Sequence, residues 1–210
     1  MAEISLKRTS MAGGSPNPGT LGSAGADRRV AVVGTTGAGK TTLARHLAHR
    51  LAVPHVELDA LYWGPNWTPV PADLFRRRTA LAVAEDAWVI DGNYHLVRDL
   101  VWSRATTVVW LDYPLLLILA RLLKRTVRRI LAREELWSGN LESLRQQFLS
   151  GNSIFLWGLK TYGRRRREYP ALFKETAYSH LTVVRLSSPR ATEDWLARVS
   201  SRADQPTTNV

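Results

Sequence analysis

The stretch "GTTGAGKT", Gly34 to Thr41, constrains this chain more than any other feature. It satisfies G-x-x-x-x-G-K-S/T in full, with the apolar run "RVAVV" before it and the helical pattern "TLARHLAHRL" after it. Glycines at 34, 37 and 39 let the backbone curl, so that successive N–H groups point at phosphate oxygens. A helix beginning at the end of the turn adds its unpaired donors and its positive pole. Lys40 is expected to reach the β- and γ-phosphates, and the Thr41 hydroxyl to ligate Mg2+. Gly34, Thr35, Thr36, Gly37, Ala38, Gly39, Lys40, Thr41 and Thr42 are therefore the expected nucleotide-binding residues. A dinucleotide fingerprint fits poorly, since it has no role for Lys40. A guanine-reading Asn/Thr-Lys-x-Asp segment follows neither Thr106–Asp112 nor Leu181–Leu186, so ATP with Mg2+ is favoured over GTP.

The remaining composition sets outer bounds. A chain of 210 residues, 45% hydrophobic, suits one well-buried domain. Residues 1–27, crowded with Gly, Ser and Pro, are expected to form a disordered tail, as are residues 201–210. The domain is then 28–200. No signal peptide is read at the N-terminus, because Lys7 and Arg8 are followed by no apolar core. "LLLILA", Leu115 to Ala120, is far too short to span a membrane, and no membrane partner is expected. The lack of cysteine excludes disulfides, thiolate metal sites and cysteine nucleophiles. It is compatible with the cytoplasm, the expected location. Oligomeric state, monomer or homodimer, stays open.

Apolar runs and helical patterns alternate along the chain. Strands are read at Arg29–Val33, His55–Asp59, Trp88–Asp91, Thr106–Asp112 and Leu181–Leu186. Helices are read from about Gly39 to Leu51 and over Pro71–Ala87, the latter with an apolar face of Leu74, Leu81 and Val83. Pro114 suits the first turn of a helix running to about Glu135. A further helix is read over Leu141–Leu149, or onward to Gly163, and "PRATEDWLARV" closes the domain. This β-α alternation predicts an α/β fold, a three-layer sandwich around a central parallel five-stranded sheet.

Two strand-end acids could hold a magnesium-bound water, Asp91 after "WVI" and Asp112 after "VVWL". Asp112 is the better candidate for a capping role, because Pro114 follows closely, so Asp91 is preferred. Asp59 closes the second expected strand, at the edge where an open α/β sheet exposes its ligand crevice. Trp63 nearby suits a flat or apolar acceptor. Arg121 and Arg125 share one helix face, and Arg133 lies further along the same region. Arg164 to Arg167 form a second cluster, with Arg165 as its catalytic candidate. Arginines of this kind neutralise charge on a transferring phosphoryl group. A formal charge of +11 also admits nucleic-acid contact, but no base-reading module accompanies it, so that partner is not favoured.

Taken in order, "GTTGAGKTTLARHLA", "ELDALYWGPNWTPVP", "WVIDGNY" and "VVWLDYP", followed by helix-borne arginines, give the chain a family likeness. It resembles small adenylate-kinase-like P-loop NTPases of bacteria, in particular the DNA topology modulation (FlaR-type) proteins. The resemblance covers about 29–186. It implies a nucleoside/nucleotide-kinase-like fold with a lid or helical segment over about 121–170, ATP and Mg2+, and a small-molecule or nucleotide acceptor. It places Asp91 at the acid-Gly position, Arg121 and Arg125 as the paired arginines at the start of the lid, and Asp59 as the acceptor-contacting acid. After "DG" the chain departs from adenylate kinases with Asn93, Tyr94 and His95, so the usual monophosphate-gripping arginine is missing there and Arg98 is the nearest substitute. AMP is therefore not the expected acceptor. The reading is an ATP-dependent phosphotransferase, with an ATP-binding regulatory protein on DNA or a simple ATPase as alternatives.

Overall fold

The computed structural model describes residues 28–132, 137–139 and 154–199. The two expected tails, Arg133 and the helix expected at Leu141–Leu149 lie outside the described residues.

Five strands, β1 (Arg29–Gly34), β2 (His55–Glu57), β3 (Trp88–Asp91), β4 (Thr107–Leu111) and β5 (Thr182–Leu186), form one sheet in the order β2-β3-β1-β4-β5. Every pairing is parallel. β1 takes the centre because both of its faces are apolar, and Val30 through Val33 are all buried. The helices are α1 (Lys40–Leu51), α2 (Leu58–Tyr62), α3 (Ala72–Ala84), α4 (Arg98–Arg104), α5 (Leu115–Leu131), α6 (Ile154–Leu172) and α7 (Pro189–Arg198).

Strand periodicity splits the core in two. Val30, Val32, Val109 and Leu111 face Leu43 and Leu47 of α1, Ile118 of α5 and Trp195 of α7. Ala31, Val33, Ile90 and Trp110 face Phe75 of α3, Val101 and Trp102 of α4, and Tyr169 of α6. Side chains as fully buried as Phe75 and Leu47 each contribute about 1.5–3 kcal/mol. Helices on both faces make the expected three-layer α/β sandwich. Among the described residues no helix is long and apolar enough to cross a membrane.

Three readings of the elements need correction. β2 stops at Glu57, the last residue in register with β3, and Asp59 falls in the first turn of α2 instead of on a strand. The fully packed Leu58 side chain, seated against Gly92, takes the chain off the sheet. On α3 the buried face is Phe75, Thr79 and Val83, and Leu81 is 73% exposed. Phe75 sets that phase by packing edge-on against Tyr62 and Tyr94. Finally, α4 has no counterpart in the sequence reading, and α6 runs on past Gly163 to Leu172.

Candidate active site

The phosphate loop joins the end of β1 to α1, and a bond from Ala38 N–H to the Thr35 carbonyl closes its turn. Gly39 occupies the N-cap position at φ 96°, a left-handed conformation that favours glycine, and brings no capping side chain. The first turn of α1 contains no acid. Helix geometry therefore leaves the N–H groups of Lys40, Thr41 and Thr42 without partners four residues back. An uncapped, acid-free helix start of this kind fits a triphosphate.

Lys40 folds back over its own loop, with Nζ 3.5 Å from the Thr35 carbonyl oxygen. Burial pulls its pKa down to about 8, nearby Arg165 pushes the same way, and Asp91 and Asp59 oppose them. An enclosed cation in this position gains from an arriving anion.

β3 runs beside β1 with Asp91 in register with Val32, which sets its carboxylate beside the start of α1. The Thr41 hydroxyl donates to Asp91 Oδ1 at 3.1 Å, and His55 Nε2 lies 2.8 Å from Asp91 Oδ2. A carboxylate only accepts, so His55 Nε2 donates. Among the described residues no group of three or more His, Cys, Asp or Glu side chains could hold a metal. A hydroxyl and one carboxylate, completed by phosphates and water, suit Mg2+. Asp112 lies across β1 and is committed elsewhere. Arg166 Nε reaches its Oδ1 at 3.0 Å, and the Arg185 guanidinium grips its Oδ2 with Nε at 2.9 Å.

The expected arginines divide. Arg121 donates to the Ala38 carbonyl at 3.3 Å and lies over the Tyr113 ring, so it rests on the loop itself. Arg125 and Arg165 are both close enough to Lys40 to lower its proton affinity. Arg165 is 7% exposed and donates to Thr161 Oγ1 at 3.0 Å; burial lowers its own pKa. Arg98 does not join them. Its guanidinium stacks 5.5 Å above the Trp102 ring, in a groove shared with Arg164 and Glu168.

Asp59 also acts on Lys40 electrostatically. Burial raises its pKa above the ordinary carboxylate range, against the opposing pull of the Tyr94 hydrogen bond and Lys40. The Tyr94 hydroxyl donates to Asp59 Oδ1 at 2.6 Å. Trp63 sits edge-on to Tyr62 and Trp67. Trp137 extends this wall toward Trp67 and donates to Glu57 Oε2 at 3.2 Å, while Ser138 donates to the Trp63 carbonyl at 3.0 Å.

Sequence reasoning passed over His55 and Tyr169, and noted Asn93 and Tyr94 only as departures. Strand alternation carried a signal for His55, which shares a face with Glu57. Its meeting with Asp91 depends on the β2–β3 register, which the sequence does not state.

No protein-family model and no curated protein matches the chain. Among solved structures it is similar to shikimate kinase from Bacteroides thetaiotaomicron, at 16% identity, 81% of this chain, 94% of that chain and a TM-score of 0.47. It is similar to shikimate kinase from Acinetobacter baumannii in complex with shikimate, at 18% identity, 80% and 88% coverage and a TM-score of 0.48. A gluconokinase from Sinorhizobium meliloti matches at 17% identity, 82% and 91% coverage and a TM-score of 0.48. The chain's own strand order and loop make it an α/β sandwich built around a phosphate-binding loop.

Proposed function

We propose that the protein is an ATP-dependent phosphotransferase that moves the γ-phosphoryl group to a hydroxyl of a small molecule or nucleotide. One observation carries the reading. Asp59, a half-buried carboxylate whose pKa is raised by desolvation, lies within electrostatic reach of Lys40 in the phosphate loop. A candidate proton acceptor thus stands where an acceptor hydroxyl would meet the triphosphate. The residues of the loop fit Mg2+·ATP, which when bound supplies the phosphoryl group and a divalent charge to offset it.

Each side chain then has a task. The N–H groups of the loop and Lys40 hold the β- and γ-phosphates. Thr41 and Asp91 hold the magnesium side, and His55 fixes the Asp91 carboxylate. Arg121, Arg125 and Arg165 offset charge that develops on the moving group. Asp59 orients the acceptor hydroxyl and accepts its proton, and Trp63 forms part of the acceptor wall. The resemblance of the ordered segments to adenylate-kinase-like P-loop proteins supports the same reading, in which DNA contact is not favoured.

The decisive experiment offers ATP labelled at the γ-phosphate, with Mg2+, to a panel of sugars, polyols, nucleosides and nucleotides. Label should move to at least one hydroxyl compound, and transfer should fail in Asp59→Asn. Hydrolysis indifferent to every acceptor would make the protein a simple ATPase. Salt-sensitive DNA affinity without any transfer would favour a regulatory role.

A further inference from the structure

β3 ends at Asp91, where Gly92 turns the chain off the sheet, yet β1 continues to Gly34. The Asn93 carboxamide fills the rung that β3 leaves. Gly34 N–H donates to Asn93 Oδ1 at 3.0 Å, and Asn93 Nδ2 donates to the Gly34 carbonyl. A side-chain amide thus does for Gly34 what backbone peptides do lower in the ladder. From the other side Gly34 is pressed against β4, where a Cβ would stand 2.7 Å from the Leu111 carbonyl oxygen. The first glycine of the phosphate loop is wedged between a strand and one side chain.

Asn93 has a third contact. The Tyr169 hydroxyl donates to its Oδ1 at 3.1 Å. Tyr169 is buried on α6, with its ring against Trp102, Trp110 and Phe173. One helical turn earlier stands Arg165, on the helix face it shares with Tyr169, electrostatically coupled to that residue and donating to Thr161 Oγ1 at 3.0 Å. The path from Gly34 to Arg165 therefore runs through two side chains, both partly or wholly enclosed.

We propose that Asn93 is a positioning residue, which acts through Tyr169 to tie Arg165 to the backbone of the phosphate loop. The place of the arginine beside Lys40 is then set by Gly34 itself, and α6 and the loop hold one mutual geometry. The inference rests on the phosphotransferase reading, in which Arg165 meets the γ-phosphate. It goes beyond that reading by assigning Asn93 and Tyr169 a part in it.

The test needs no acceptor. Calorimetry gives the affinities of Mg2+·ATP and Mg2+·ADP for wild type, Arg165→Ala, Tyr169→Phe and the double variant, each with its melting temperature. Wild type should prefer ATP, and Arg165→Ala should lose about tenfold of that preference, as suits a charge-assisted contact. Tyr169→Phe keeps the ring and its packing, and should lose about two- to tenfold. In the Arg165→Ala background it should lose nothing more, because a residue acting through Arg165 has no effect once Arg165 is gone. An unchanged preference in either single variant, or losses that simply add, would overturn the proposal. Should Tyr169→Phe not fold, Asn93→Ala replaces it, since it removes the acceptor of the Tyr169 hydroxyl without adding charge; the same two outcomes decide. A wild-type protein that binds neither nucleotide would sink the phosphotransferase reading itself. ATP preference with additive losses would sink this inference alone.

Discussion

Asp91 and Asp112 sit on opposite sides of β1, at the ends of its two neighbours, and are 4% and 5% exposed. In sequence they are near twins, each closing an apolar strand. Their partners separate them. Asp91 meets a hydroxyl and an imidazole, which hold its carboxylate oriented beside the loop. Asp112 is neutralised by two arginines, one from β5 and one from α6. A strand-end acid is thus made available for chemistry, or consumed by structure, according to what the flanking elements offer it.

Substitutions should pull the two apart, with the largest effect on the loop side. Lys40→Ala or Asp91→Asn should slow phosphoryl transfer by about 10²–10³, as when a preorganised electrostatic contact is removed. Asp91→Asn should in addition need more Mg2+ for half-maximal ATP binding. Titration calorimetry against Mg2+ checks this, and an unshifted requirement would place the metal elsewhere.

Asp59→Asn comes next, with transfer falling by about 10² or more while the fold gains stability. The sign follows from its raised pKa. Above the ordinary carboxyl value of about 4, the unfolded chain has released a proton that the native Asp59 retains, so stability falls as pH rises toward the raised value. The neutral variant lacks that loss, and its advantage in melting temperature should grow with pH across that window. A constant offset between the two melting curves would remove burial as the cause.

Asp112→Ala should invert the pattern. It should cost about 1–3 kcal/mol of stability, toward the low end because both arginines are half exposed, and leave ATP affinity within about twofold. Denaturant melts and calorimetry together decide it, and a large loss of ATP affinity would return Asp112 to the active site. The smallest effect is expected from Tyr113→Phe, which removes a 2.6 Å bond to Thr192 and keeps the ring beneath Arg121. It should cost about 1 kcal/mol and no affinity for nucleotide.

The loop side was legible because its determinants are local. β1, the glycine turn and α1 follow one another without interruption, and Trp88–Asp91 was read with its true bounds. The preference for Asp91 over Asp112 rested on Pro114, whereas the arginines that occupy Asp112 come from β5 and α6. The acceptor side and the arginine side depend on distant pairings. Tyr169 lies 76 residues from Asn93, and Trp137 lies 80 from Glu57. Leu81 misled because a leucine at helical spacing matches the apolar pattern, whereas Phe75 and its aromatic neighbours fix the rotation of α3. Nearness in sequence to the "DGNY" segment likewise gave no sign of the Trp102 ring 5.5 Å beneath the Arg98 guanidinium.

The strand order has a consequence for how such a protein diversifies. β2, α2 and α3 are one unbroken stretch, 55–84, and β2 forms the outer edge of the sheet beside β3. Apart from His55, whose imidazole braces Asp91, the side chains assigned to the nucleotide lie outside it. The proposed acceptor acid Asp59 and the Trp63 and Trp67 rings lie within it, with Trp137 reaching in from outside. On the phosphotransferase reading, exchange of that cassette with His55 kept would change the acceptor side and leave the nucleotide side in place.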